Sequence, residues 1–263
     1  MAEHFRESND NTHCTVADYI ATVVINRPPV NAIDSNLFEH LTRTFDELSD
    51  RDDVRVAILT AAGRCFCAGV DIRSRPNQNT APAGTGWQHS RLARETFNAI
   101  TECQVPVIVA LNGPALGAGL AIAASCDILL ASEEASLALP EINVGLLGGG
   151  RHAMRLFGHS KARHMMFTGK QVSGAELLEL GVVEQCVPAD QLLAAARELA
   201  AEIACKSPTA IKLAKQAMNA VELMSLRDGY RFEQNMTAQL SHSAEAAEAR
   251  NAFFEKRTPD FGQ

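Results

Sequence analysis

The stretch Cys103-Gln104-Val105-Pro106-Val107-Ile108-Val109-Ala110-Leu111-Asn112-Gly113-Pro114-Ala115-Leu116-Gly117-Ala118-Gly119-Leu120-Ala121-Ile122-Ala123-Ala124-Ser125-Cys126 contains no charged residue. It is long enough to cross a bilayer, so a membrane helix and a buried core segment must be told apart first. Asn112-Gly113-Pro114 sits at its centre, with Gly117 and Gly119 just beyond. Proline removes a backbone donor and glycine frees the chain to turn, which divides the run into a β-branched strand at 105–111, a turn, and a helix at 116–125. The stretch reads as a buried strand–turn–helix and not as a membrane span.

The same grammar extends outward. Short β-branched runs recur at 19–25, 54–60, 127–131 and 182–187, between helical patterns at 37–48, 91–101 and 175–180. Strands alternating with helices indicate an α/β fold with a mainly buried sheet. After Pro188 only helix signals remain. Asp190 caps an Ala/Leu run reaching Lys206, Ser207-Pro208 opens the next helix, and a third helical stretch runs from Leu226 to Lys256. The chain is therefore read as an α/β core over 1–188 and a C-terminal helical region over 189–263. Segment 73–86, rich in Pro, Asn, Gly and Thr, is expected to be a flexible loop.

Composition bounds the partners. The 263 residues are 46% hydrophobic and 5% aromatic, with one Trp and two Tyr, and 24 Lys+Arg against 31 Asp+Glu give a net charge of −7. A chain of this size and apolarity folds without disulfides or metal, and its acidic balance argues against nucleic-acid binding. Its seven cysteines lack CxxC spacing and read as reduced, mostly buried thiols. Segment 1–15 carries Glu3, Arg6, Glu7 and Asp10 with no apolar run, so a cytoplasmic location is expected and a membrane is not.

Two turns and one carboxylate carry the candidate chemistry. Cys65-Phe66-Cys67-Ala68-Gly69-Val70-Asp71-Ile72 and Asn112-Gly113-Pro114-Ala115-Leu116-Gly117-Ala118-Gly119 both follow strands and open helices. Small residues there let backbone N–H groups approach a ligand, and two amides aimed at one point make an oxyanion hole; ordinary tight turns are the bland alternative. Glu141 lies in the apolar segment Leu139-Pro140-Glu141-Ile142, ahead of Gly148-Gly149-Gly150. In such surroundings a carboxyl pKa rises towards neutrality, which suits proton transfer, although a carboxylate after Pro140 also serves simply to start a helix. Other motifs fail. Gly117-Ala118-Gly119-Leu120-Ala121-Ile122 ends in Ile where a dinucleotide turn wants Gly or Ala, and Gly169-Lys170 has His164 where a P-loop needs its leading Gly. No G-x-S-x-G elbow or metal-ligand spacing is present, and His152, His159 and His164 read as surface or helix-capping groups.

Taken together these segments resemble the crotonase superfamily, the enoyl-CoA hydratase/isomerase family. The resemblance is carried by Asn26-Arg27-Pro28 with Asn31-Ala32, Cys67–Ile72 as quoted, the turn at 112–119, Pro140-Glu141 with Val144-Gly145, Thr168-Gly169, Ala175 with Gly181-Val182-Val183, and Ala252-Phe253-Phe254-Glu255-Lys256-Arg257. It implies a crotonase-like spiral of ββα units with a C-terminal helical trimerisation region, and a homotrimer or a hexamer built as a dimer of trimers. It implies an acyl-CoA thioester substrate whose carbonyl oxygen meets the amides of Val70 and Ala118. Coenzyme A is then part of the substrate, and no separate cofactor or metal is expected. Asn31, Ala32, Ala68, Gly69, Asp71, Ile72 and Gly117 are implied to line the substrate path, with Phe254 and Lys256 contributing to CoA binding. Since the protein is acidic, CoA capture is expected to be local, through amides, helix ends and basic groups such as Arg27, Arg73 or Lys256.

The departures bear on the reaction. Hydratases of this family carry two glutamates; Glu141 matches the second, while the position of the first is Ala121. The loop Leu146-Leu147-Gly148-Gly149-Gly150-Arg151 is also shorter than is usual in the family. A single acid/base glutamate with oxyanion-hole enolate stabilisation points to an isomerase-like reaction or an atypical hydratase or lyase. A hydrolase or C–C-cleaving enzyme of the same fold would need a second polar group, from 73–89 or from Arg151 or His152, both expected to be exposed. A non-catalytic CoA-ester-binding protein is the remaining alternative.

Overall fold

The computed structural model describes residues 3–4, 11–74 and 85–262. Segment 73–86 lies largely outside the described residues. The chain begins with β1 (Glu3–His4), β2 (Thr12–Ala17) and β3 (Ile20–Ile25), joined through antiparallel pairs. The β2–β3 hairpin turns at Asp18 and Tyr19, both at positive φ, as a tight two-residue turn requires. Then follow α1 (Ser35–Ser49), β4 (Val56–Ala61), α2 (Thr85–Glu102), β5 (Val107–Leu111), β6 (Pro114–Leu116), α3 (Ala118–Ser125), β7 (Ile128–Ser132) and β8 (Ser136–Ala138). A 3-10 turn (Pro140–Val144) precedes α4 (Gly150–Leu156), α5 (His159–Thr168), β9 (Val172–Ser173), α6 (Gly174–Glu179) and β10 (Gln185–Val187). The chain ends in α7 (Leu192–Ala204), α8 (Pro208–Val221), α9 (Leu226–Ser241) and α10 (Ala244–Glu255).

Among the described residues, one sheet runs in the order β1-β2-β3-β4-β5-β7-β10, parallel from β3 onward. Its central strands are apolar at nearly every position, with Thr60 in β4 the polar one, because both faces are covered. Ala57, Leu59, Val107, Val109 and Leu111 face a core with Phe38, Leu41, Phe45 and Ile100, whereas Val56, Ile58, Ile108, Ala110 and Leu130 face α7. On α7 the buried residues Leu192, Ala196, Ala200 and Ala204 recur every four positions, so a stripe of small side chains lies on the sheet. The strands end near residue 188, yet α7 beyond that point still closes the core.

A second layer explains the spiral. Ile33 bridges Val70, Cys67 bridges Ala115, and β6 pairs β8, all in parallel. The chain thus repeats one unit: a strand in the large sheet, a short extended segment in the second layer, then a helix. The repeats are β3–Ile33–α1, β4–Cys67/Val70–α2, β5–β6–α3 and β7–β8–α4. Each candidate catalytic residue lies at the end of a second-layer segment or just after it, where these junctions stack side by side.

Several expectations are corrected. The strand–turn–helix of 103–126 contains the additional short strand β6, and no described helix is long and apolar enough to cross a membrane. The third helical stretch is two helices, because Ser243 caps α10 by accepting from the Ala246 amide at 3.0 Å. Asp190 is not a cap; Gln191 holds that position without a side-chain bond. Ser207 does cap α8, accepting from Ala210 at 3.0 Å, with Pro208 at the first helical position. All seven cysteines are free; Cys67, Cys103 and Cys126 are buried, Cys14, Cys65 and Cys186 partly so, and Cys205 is exposed.

Candidate active site

The two glycine-bearing turns lie side by side. The Leu116 amide donates to the Cys67 carbonyl at 2.8 Å, and the Cys67 amide to the Pro114 carbonyl at 3.1 Å. Val70 and Ala118 each stand three residues beyond the Cys67–Ala115 bridge (67 + 3 and 115 + 3). Gly69 has φ +91°, and a Cβ there would lie 3.0 Å from the Leu116 carbonyl oxygen and 3.8 Å from the Ala118 nitrogen. The backbones therefore approach as closely as they do only because position 69 has no side chain. Among the described residues, no backbone carbonyl accepts from the Val70 or Ala118 N–H. Ala118 is the first residue of α3, where an amide is unpaired by construction and the helix field favours negative charge.

Asn31 holds this arrangement from the side. Its side chain is 2% exposed, accepts from the Arg27 amide at 2.8 Å, and donates to the carbonyls of Ala62 at 2.9 Å and Cys65 at 2.7 Å. Arg27 donates to the Ala32 carbonyl at 2.7 Å and pairs with Asp34 at 3.1 Å and Asp71 at 3.0 Å. The guanidinium keeps the Asp71 carboxyl below its usual pKa. These bonds fix the loop around Asn31, whose Val30 carbonyl accepts from the Ala68 amide at 3.0 Å and whose Ile33 amide donates to the Gly69 carbonyl at 2.8 Å, while Asn31, Ala32, Asp71 and Arg27 do not line the neighbouring cavity. Cys67 lies beneath Gly119, and burial pushes its thiol up to about 12, so it packs and does not react.

Glu141 comes from the next unit. Leu139 leads out of β8, Pro140 starts the 3-10 turn, and the Glu141 carbonyl accepts from the Leu146 amide at 2.9 Å. The side chain is half-buried and its Oε2 is enclosed without a hydrogen-bond partner; burial raises its pKa. The carboxyl lies against Gly117, where φ is +54°, and a Cβ at that glycine would stand 3.0 Å from the Glu141 Cδ. The Gly117 amide donates to the Ala138 carbonyl at 2.9 Å, fixing the two units together.

Val70, Ala118 and Glu141 line one cavity of about 570 Å³. Ala68, Gly69, Ile72 and Gly117 belong to its wall as well, with Ala93, Val144 and Leu147 supplying apolar surface. Phe254 and Lys256 are exposed on or just after α10 and are not in its wall; Phe254 is 79% exposed. Ala121 is 2% exposed and does not line it either. A hollow of about 540 Å³ beside Tyr19 and Arg55 offers less chemistry, since Arg55 is engaged by the carbonyls of Ala204, Phe261 and Gly262 at 3.1 Å. Among the described residues no group of three or more His, Cys, Asp or Glu side chains is arranged to hold a metal.

His152 lies elsewhere than its sequence suggests. His152, expected at the surface, is half-buried in the cavity wall, whereas Arg151 is exposed and pairs with Glu222 at 3.8 Å. The imidazole meets the Phe97 ring edge-on at 4.8 Å between centroids, and Phe97 meets Phe38 at 6.2 Å. Burial, then Arg155 and Arg151, lower the His152 pKa and favour the neutral ring.

A family model described as enoyl-CoA hydratase/isomerase matches residues 15–263. A protein of Rhodococcus jostii named (7aS)-7a-methyl-1,5-dioxo-2,3,5,6,7,7a-hexahydro-1H-indene-carboxyl-CoA hydrolase is 36% identical over 248 residues, 94% of this chain and 95% of that protein. A short-chain-enoyl-CoA hydratase of Clostridium acetobutylicum is 34% identical over 243 residues, 90% of this chain and 92% of that one. The crystal structure of an enoyl-CoA hydratase from Bacillus anthracis superposes with a TM-score of 0.90 at 32% identity, over 95% of this chain and 98% of the other.

Proposed function

The chain belongs to the enoyl-CoA hydratase/isomerase family of acyl-CoA-processing enzymes, and from that premise we propose that it forms a thioester enolate held by the amides of Val70 and Ala118, with Glu141 as its acid/base. The supporting observation is the Glu141 carboxyl, half-buried with Oε2 unpartnered, in the same cavity wall as the two turns. The deprotonated carboxylate removes a Cα proton from a β,γ-unsaturated thioester. Electron density moves onto the carbonyl oxygen, where two N–H donors stabilise it, and the double bond shifts towards the carbonyl. The protonated Glu141 then returns the proton at Cγ. One carboxylate suffices for this exchange, and its raised pKa brings the acid and base forms closer in energy.

Water addition in the two-glutamate manner is disfavoured, because Ala121 stands where the first carboxylate would be. A second reading, cleavage by water of an acyl group next to a ketone, is favoured by His152 in the cavity wall and by the likeness to the Rhodococcus jostii hydrolase. The assembly expected on either reading is a trimer or a pair of trimers, checked by sedimentation.

Product analysis tests the reading. Incubating the protein with 3-hexenoyl-CoA and 2-hexenoyl-CoA, and following mass and double-bond position, should show interconversion without mass change. Gain of water on 2-hexenoyl-CoA at a rate exceeding interconversion would overturn the isomerase-like reading and leave an atypical hydratase.

A further inference from the structure

The short loop after Glu141 determines what enters the cavity beside it. Gly149 has φ +73°, and a Cβ there would lie 2.6 Å from Leu139 Cδ2 and 3.7 Å from the Gly117 carbonyl oxygen. A Cβ at Gly150 would stand 2.8 Å from Met166 Cε. Without side chains at these positions the loop lies close against the Gly117 turn, and the first turn of α4 is drawn into the wall. His152 is its third residue.

The imidazole is oriented by rings and otherwise unclaimed. Its contact with Phe97, itself resting on Phe38, fixes the ring direction. Among the described residues no hydrogen bond takes up either ring nitrogen. Arg155 and Arg151, on either side along the helix, both reach Glu222, at 3.2 and 3.8 Å. A neutral imidazole carries one N–H donor and one acceptor nitrogen, and a hydrocarbon chain against it satisfies neither.

We propose that His152 is a specificity-determining residue that hydrogen-bonds an oxygen on the acyl group beyond Cβ, so that the preferred substrates are CoA thioesters with oxo- or hydroxy-bearing acyl groups. This rests on the acyl-CoA reading of the cavity given above. Ala93, Val144 and Leu147 supply the apolar contact for the rest of the acyl group.

Calorimetric binding to the full-length protein tests it with two saturated, unreactive pairs: 5-oxohexanoyl-CoA against hexanoyl-CoA, and 4-oxopentanoyl-CoA against pentanoyl-CoA. In the wild type at least one oxo thioester should bind about fivefold to tenfold tighter than its partner, the worth of one neutral hydrogen bond. In His152→Phe, which keeps a ring against Phe97, that ratio should fall to near one, and His152→Asn should retain part of it. Ratios near one for both pairs in the wild type, or a ratio unchanged in His152→Phe, would overturn the inference alone. No binding by any of the four thioesters would overturn the acyl-CoA reading and the inference with it.

Discussion

The Glu141 carboxyl fills the space that a side chain at Gly117 would need. This one contact joins the turn that presents the Ala118 amide to the group assigned to move the proton. It gives Gly117 a second reason to lack a side chain, beside the φ +54° and ψ −111° that it adopts at the start of α3.

Gly117→Ala is therefore expected to displace the Glu141 carboxyl and strain the backbone together. Turnover should fall about a hundredfold or more, the scale of losing a positioned acid/base, with about 1–3 kcal/mol of stability lost. Steady-state kinetics and thermal unfolding measure both, and near-wild-type turnover would contradict the placement of Glu141.

The raised Glu141 pKa carries a sign that can be checked. Folding then binds the proton more tightly than the unfolded chain does, so this contribution to stability is full below the ordinary carboxylate range. It is lost as pH rises through the higher folded-state value. Glu141→Gln removes that loss. The variant should gain stability relative to wild type as pH rises from below the ordinary carboxylate range through neutrality, while its activity falls. Denaturant midpoints across that range measure the difference, and a constant offset would count against a desolvated carboxylate.

Asn31→Ala should act at a distance. It removes three hydrogen bonds to the Arg27, Ala62 and Cys65 backbone and leaves buried polar groups unpaired, at a cost of about 1–3 kcal/mol per group. The Ala68–Val70 turn loosens, so kcat should fall more than KM rises. Kinetics with a 3-enoyl thioester separate the two, and an effect confined to KM would place Asn31 in substrate contact instead.

Ala121→Glu restores the missing carboxylate type at a position that is buried in α3. Water addition to crotonyl-CoA should rise at least tenfold, within the span of general acid–base help, while the melting temperature falls because a carboxyl enters an apolar helix. A coupled hydration assay reads the first; no rise would show that the missing first glutamate is not what limits hydration.

Much of this site was legible because it is written in turns. Gly69, Gly117, Ala118 and Pro140-Glu141 declare their backbone conformation through residue type, and the covered parallel sheet declares itself through largely apolar strands. His152 was not legible. It follows Arg151 on a seven-residue helix, and the local pattern is that of a surface. Its burial depends on Gly149 meeting Leu139 of its own unit and Gly117 of the preceding one, a tertiary contact with no local signal. The short strands β6, β8 and β9 escaped for a related reason, since two or three residues carry too little periodicity. The break between α9 and α10 did have a signal, Ser243 ahead of Glu245 at a helix start, which the continuous polar pattern around it obscured.

The central claim is that Glu141 moves a substrate proton beside two backbone donors. It is tested most directly by incubating 3-hexenoyl-CoA in heavy water with wild type and Glu141→Gln, and reading deuterium at Cα and Cγ by mass spectrometry. Incorporation is expected with wild type and at least a hundredfold slower incorporation with Glu141→Gln, with CoA-ester binding largely retained. Equal exchange rates in the two proteins would contradict it.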